Sequence, residues 1–218
     1  MQRTTVLGFG LSFFVTLFSV LNPVHAVPLY LAMVQAPTAE TTRRVALLAA
    51  TTVFLALMLA LLIGEDMLHF FGITVPAFQV GGGVLILLMG LSMLQGEVSR
   101  AKTTPAEAAE AAQWREIAIV PIGTPILAGA GSLSTVIVFD HQAMAWHLWG
   151  TLVVGIVANA LLCWAFLRYS DALLRLLGRT GVNVVSRLMG MILVAMAVQF
   201  MADGIHGLFP TLRGPGAT

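Results

Sequence analysis

Residues 20–29 read Val20-Leu21-Asn22-Pro23-Val24-His25-Ala26-Val27-Pro28-Leu29, an amide and two prolines set inside an apolar run that reaches from Val6 to Val34. Proline has no N–H to donate and its ring clashes with the carbonyl one turn back. Two prolines close together leave several backbone carbonyls without helical partners. In water the solvent takes them. In lipid they must be satisfied by protein, trapped water or a bound solute. The reading of the whole chain turns on whether this run lies in a membrane and what its interruption is for.

The composition answers the first part. Of 218 residues, 58% are hydrophobic and 10% charged, with a net charge of +1 and a mean hydropathy of +0.93. Soluble domains carry about 25% charged residues, so a water-covered globule is excluded. The apolar content excludes disorder, and the lack of a basic stripe excludes a nucleic-acid binder. Cys163 is the single cysteine, which excludes a disulfide scaffold.

A membrane span needs about 20 apolar residues. Six runs qualify: Val6–Val34, Val45–Gly64, Val75–Leu94, Ile117–Phe139, His147–Leu167 and Leu188–Leu208. They lack the short alternating segments of a β-barrel, so the expectation is an all-α polytopic membrane protein. Arg3 and the small residues around Ala26 imitate a secretory leader. The apolar run continues past that point and has a counterpart later in the chain, so it is read as span 1.

The polar stretch 96–116 reads as a cytoplasmic linker between two three-span halves, 1–95 and 117–218. Nine Lys and Arg (Arg43, Arg44, Arg100, Lys102, Arg115, Arg168, Arg175, Arg179, Arg187) fall on one side, against Arg3 and Arg213 on the other. The excess marks the cytoplasmic side, which puts both termini outside, periplasmic in a bacterium-like cell with the chain in the inner membrane.

The halves resemble each other. Pro23 and Pro28 in span 1 correspond to Pro121 and Pro125 in span 4. Gly82, Val84, Met93 and Gly96 match Gly190, Ile192, Met201 and Gly204 at a constant offset. Three spans is an odd number, so the second half enters from the opposite side. A 3+3 inverted repeat with helices 1 and 4 interrupted points to a secondary transporter whose site lies near the midplane.

The residue types suit that role. Freed carbonyls attract a cation or an ammonium group, and the N-terminus of a following half-helix attracts a carboxylate. Asn22, Pro23, His25, Pro28, Pro121, Pro125, Gly129, Gly131, Ser132, Thr135 and Asn159 are the expected substrate-binding residues. Gly129 and Gly131 let a ligand approach the main chain. His25 is an intramembrane group that changes charge near neutral pH, a candidate for a coupling proton. Thr51, Thr52, Gln79 and Gln199 are read as bonding to neighbours, and Gly81-Gly82-Gly83 as permitting close packing. His69, His141, His147 and His206 lie near Glu65, Asp66, Asp140 and Asp203, but without metal-ligand spacing. No catalytic motif or phosphate loop is visible. The expectation is neither an enzyme nor a cofactor protein.

These residues resemble the MarC family, also called the small neutral amino acid transporter family. Asn22-Pro23…Pro28-Leu29, Phe71-Gly72-Ile73…Pro76-Ala77-Phe78, Val120-Pro121…Pro125…Ala128-Gly129 and Ser186-Arg187-Leu188-Met189-Gly190…Val198-Gln199-Phe200 carry the likeness. The chain departs from the family pattern at His25, where a small residue is usual, and at Ala130, where proline is frequent. The resemblance implies a six-span fold of the lysine-exporter superfamily. It also implies transport of glycine, alanine or similar solutes, and the leading reading is a secondary transporter of these working by alternating access and driven by a gradient of H+ or Na+. The rival readings are a metal-ion exporter and a non-transporting membrane partner subunit. Oligomeric state is left open.

Overall fold

The computed structural model describes residues 6–33, 38–95, 127–143 and 146–209. These residues form seven helices: α1 (Val6–Leu21), α2 (Pro23–Met33), α3 (Ala39–Phe70), α4 (Val75–Gln95), α5 (Ala130–Gln142), α6 (Trp146–Arg168) and α7 (Ser170–Leu208). Among the described residues five segments are long and apolar enough to cross a membrane: Val6–Val27, Ala39–Phe70, Val75–Gln95, Leu148–Arg168 and Thr180–Leu208. Of the expected fourth span, α5 is the described helical part. Pro121, Pro125 and the linker 96–116 lie outside the described residues.

Two helices outrun the apolar runs that announced them. Helix α3 starts at Ala39, capped by Thr38, whose hydroxyl accepts from Thr41 N. Glu40 and Arg44 pair one turn apart in this first stretch. Its 32 residues span about 48 Å, more than the ~30 Å of hydrocarbon, so both polar ends continue as helix beyond the lipid. It stops at Gly72, whose φ of 69° suits glycine at a helix C-terminus. Ile73 N then bonds Leu68 O and Gly72 N bonds His69 O, and the chain turns straight into α4. Helix α7 begins well before its apolar part and bends at Gly178 (φ 65°, ψ 173°).

The helix directions follow from side-chain contacts. Pro76, Gly83 and Gly90 on α4 recur every seven residues, as do Gly190, Ala197 and Gly204 on α7. A Cβ added to Gly90 would sit 2.9 Å from Gly190 O, one on Gly83 3.1 Å from Ala197 O, and one on Gly204 2.8 Å from Pro76 O. The two backbones therefore touch along an antiparallel seam. Small residues allow this approach, which holds membrane helices together by packing alone. Helix α1 runs parallel to α6, with Gly10 against Thr151 and Phe13 against Gly155. It runs antiparallel to α5, with Phe9 and Phe13 against Phe139 and Val20 against Gly131.

The core joins Phe13, Leu17, Leu57, Leu127, Val136, Leu152 and Ile156. Leu7, Leu11, Leu55, Leu88 and Val154 face outward from the helices that surround it. An apolar exterior of this extent belongs against lipid.

Candidate functional site

Asn22 divides the first span. Its N–H donates to Phe18 O at 2.9 Å, closing α1. Its φ is 46°, a left-handed conformation that asparagine tolerates better than most residues. His25 N donates to the Asn22 backbone carbonyl at 3.1 Å and, at 3.4 Å, to Asn22 Oδ1 as well. Pro23 takes the first helical position, where the missing N–H is no loss. One asparagine thus ends one helix and opens the next. Pro28, inside α2, withholds a helical hydrogen bond from the Val24 carbonyl. The Asn22 amide also donates to Met93 Sδ on α4 at 3.3 Å.

The second break is at Gly129. Residues 127–129 leave the α-helical path and α5 starts at Ala130 with no side-chain cap on its first turn. The Ser132 hydroxyl lies 3.2 Å from Leu127 O and 2.8 Å from Gly129 O, and the latter also accepts from Ser132 N and Leu133 N as α5 begins. Thr135 donates to Gly131 O at 2.9 Å. Gly131 is tightly enclosed: a Cβ there would lie 3.0 Å from Ile86 Cγ1 and 3.2 Å from Val20 Cγ1, with Met89 Sδ beyond.

The two breaks therefore meet over the same two turns of α4, Ile86–Met93. Helix α2 leaves this point toward the end of the bundle where α3 begins, since Tyr30 donates to Thr42. Helix α5 leaves it toward the other end, where Ile137 packs on Gly64. Two helix N-termini thus face the same region from opposite directions. Each carries the positive end of a helix dipole. Asn22, Ser132 and Thr135 are buried, His25 and Gly129 half-buried, and Ala130 exposed.

Asn159 stands apart from this group. Its amide donates to Gly155 O at 2.9 Å and Phe14 O at 3.3 Å, which fastens α6 to α1. Its buried Oδ1 takes no hydrogen bond among the described residues. Thr51 and Thr52 bond carbonyls of their own helix, and Gln199 donates to Asp203. Gly82 and Gly83 are buried, the first against Ser134 and the second against α7. Two apolar grooves, of about 410 Å³ between α3 and α6 and about 420 Å³ between α1 and α6, lie away from the breaks. Among the described residues no three His, Cys, Asp or Glu side chains come together as a metal site.

Met93 and Ile86 were not singled out as site residues by the sequence reading. Hydropathy reports depth in the membrane but not which way a helix is rotated. The spacing of seven in Pro76-Gly83-Gly90 and Gly190-Ala197-Gly204 was a usable signal. It fixes the face of α4 that meets α7, and hence the face left for the breaks.

Residues 7–209 match the family described as MarC family integral membrane protein. The "UPF0056 membrane protein YhcE" of Escherichia coli (strain K12) is 34% identical over 200 residues, covering 92% of this chain and 93% of the relative. A "UPF0056 membrane protein" of Aquifex aeolicus (strain VF5) is 35% identical over 203 residues, covering 92% and 95%. One from Methanocaldococcus jannaschii is 36% identical over 198 residues, covering 89% and 94%. No solved structure matches the chain.

Proposed function

Since the chain belongs to the MarC family of integral membrane proteins, we propose that it is a secondary carrier of small neutral amino acids or similar small solutes, working by alternating access. It crosses the inner membrane six times as two inverted triplets, with both termini periplasmic. It is a transporter and not a catalyst.

The observation that carries this reading is the convergence of two helix N-termini, at Asn22 and Gly129, on one stretch of α4. Opposed N-termini favour a carboxylate. The Val24 carbonyl, which Pro28 leaves without its helical N–H, and the Leu127 carbonyl beside the Ser132 hydroxyl suit the ammonium group of the same zwitterion. A small solute fits a site where Gly131 has no room for a methyl group. The antiparallel pairing of α4 with α7, and of α1 with α5, supports the inversion of the second triplet. Transport requires α2 and α5 to part from α4, and the exposed start of α5 gives solute a way in.

The test is flux of labelled glycine and alanine in proteoliposomes, with and without proton and sodium gradients. Gradient-dependent flux is expected. None across a broad panel of small solutes would overturn the reading. A buried, packed Asn22 and Ser132 would equally suit a non-transporting membrane partner subunit, and the flux measurement separates the two.

A further inference from the structure

The end of the bundle away from Arg43 and Arg44 holds a cluster the proposed site does not use. Glu65, in the last part of α3, reaches across to α5, where His141 Nδ1 lies 2.9 Å from its Oε1. His69, one turn further along α3, places Nε2 3.8 Å from the same oxygen. Asp140 neighbours His141 in the last turn of α5. One carboxylate oxygen therefore sits between two imidazoles, with a second carboxylate beside it. These are the groups that face one another here. Asp66 follows Glu65 on α3, and α7 ends on this side with Asp203 and His206. The adjoining start of α4, Val75–Phe78, carries no titratable side chain. The His141 and His69 side chains are exposed and Glu65 is one-third exposed, so protons exchange freely with the medium.

The position of the cluster gives it meaning. Helix α5 has 13 residues, about 20 Å of length. Its C-terminal end is held to α3 by Glu65 and His141. Its N-terminal end is the break at Gly129. A change in the hold at one end is transmitted by a single rigid element to the other. Imidazole changes charge in the physiological range. A charged His141 turns a neutral hydrogen bond into a charge-assisted one, roughly twice as strong.

We propose that Glu65, His69, Asp140 and His141 are the proton-binding station of this carrier. A proton taken up there fastens α5 to α3, and its loss frees α5 to move at Gly129. The proposal rests on the carrier reading: the cluster gates α5 in response to protons of the medium at its own end of the bundle, and is separate from His25, the candidate for the proton that crosses. Burial and the nearby Glu65 charge raise the Asp140 carboxyl above its ordinary range, while His141 lowers it. The Asp140 carboxyl thus favours an added proton.

The test uses the full chain in two settings. In detergent, melting temperatures are compared at about pH 5.5 and about pH 8 for the wild type, Glu65→Gln, His141→Gln and the double variant. The interaction between the two substitutions is expected to be about 1–3 °C at the lower pH and less than half of that at the higher. An interaction of equal size at both, or none at the lower pH, overturns the station. In proteoliposomes, His141→Gln is expected to lose most of the stimulation by a proton gradient, while His206→Gln keeps it. Unchanged stimulation in His141→Gln also overturns the proposal. If the wild type moves no solute, the carrier reading falls, and the detergent measurement still decides whether the cluster binds the proton.

Discussion

The α4–α7 seam and the α1–α2/α5 breaks use backbone in opposite ways. Along the seam, glycines bring two continuous helices into main-chain contact, with Gly90 and Gly190 each facing the other's carbonyl at 2.9 Å from an added Cβ. No polar side chain is needed for that contact. At the breaks the helical path is interrupted and side chains join the backbone in bonding there: Asn22 with its own carbonyl on His25 N at the first, Ser132 on Leu127 O and Gly129 O at the second. The seam has one arrangement because backbone cannot yield. The breaks can rearrange because a rotating side chain or an incoming solute can replace what holds them. The difference assigns the scaffold to α4 and α7 and the moving parts to α2 and α5.

The largest effect is expected at the seam. Gly90→Leu drives side-chain atoms into the Gly190 backbone, where no rotamer relieves the clash. Overpacking of this kind lowers the melting temperature in detergent by about 3–10 °C. An unchanged melt would remove the seam from its scaffold role.

Asn22 comes next, and two substitutions there divide its work. Asn22→Ala loses the cap and strains the left-handed backbone, a cost of about 1–2 kcal/mol. Asn22→Gly keeps the backbone freedom and loses only the amide, costing a few tenths of that scale. Equal losses in thermal melting would mean that the positive φ plays no part in the break.

Ser132→Ala leaves the Gly129 and Leu127 carbonyls without their hydroxyl, at about 1 kcal/mol. A fall in solute flux larger than the fall in stability is expected, because that hydroxyl lies where solute would bind. Loss of both in proportion would return Ser132 to a packing role.

The smallest effect is at Asp140, outside the lipid. Burial and Glu65 raise its carboxyl above the ordinary 3.8, so the folded chain holds the proton more tightly than the unfolded chain. The associated stability is complete at low pH and is lost as pH rises through the raised value. Asp140→Asn should flatten the melting profile in that window and raise the midpoint slightly at neutral pH. A profile identical to wild type would contradict the assignment.

Much of this was legible in the sequence because it is local. The run Val75–Leu94 becomes α4, Val75–Gln95, since an apolar run in lipid has no alternative to helix. The break at Asn22-Pro23 follows from proline chemistry and the capping habit of asparagine. The contacts that join distant parts were not legible. Asn22 with Met93, and Glu65 with His141, are 71 and 76 residues apart. Each depends on how helices are rotated against one another, which hydropathy does not encode. The polar ends of α3 and the bend at Gly178 were missed for a related reason. A helix does not stop where lipid stops, so an apolar run marks the membrane and not the element.

If a carboxylate rests between the N-termini of α2 and α5, binding must depend on that negative charge. Competition against labelled alanine on the purified protein tests this directly. Unlabelled alanine should displace the label, and alaninamide, which has the same shape without the charge, should be weaker by about tenfold or more. Equal displacement by the two would contradict the account.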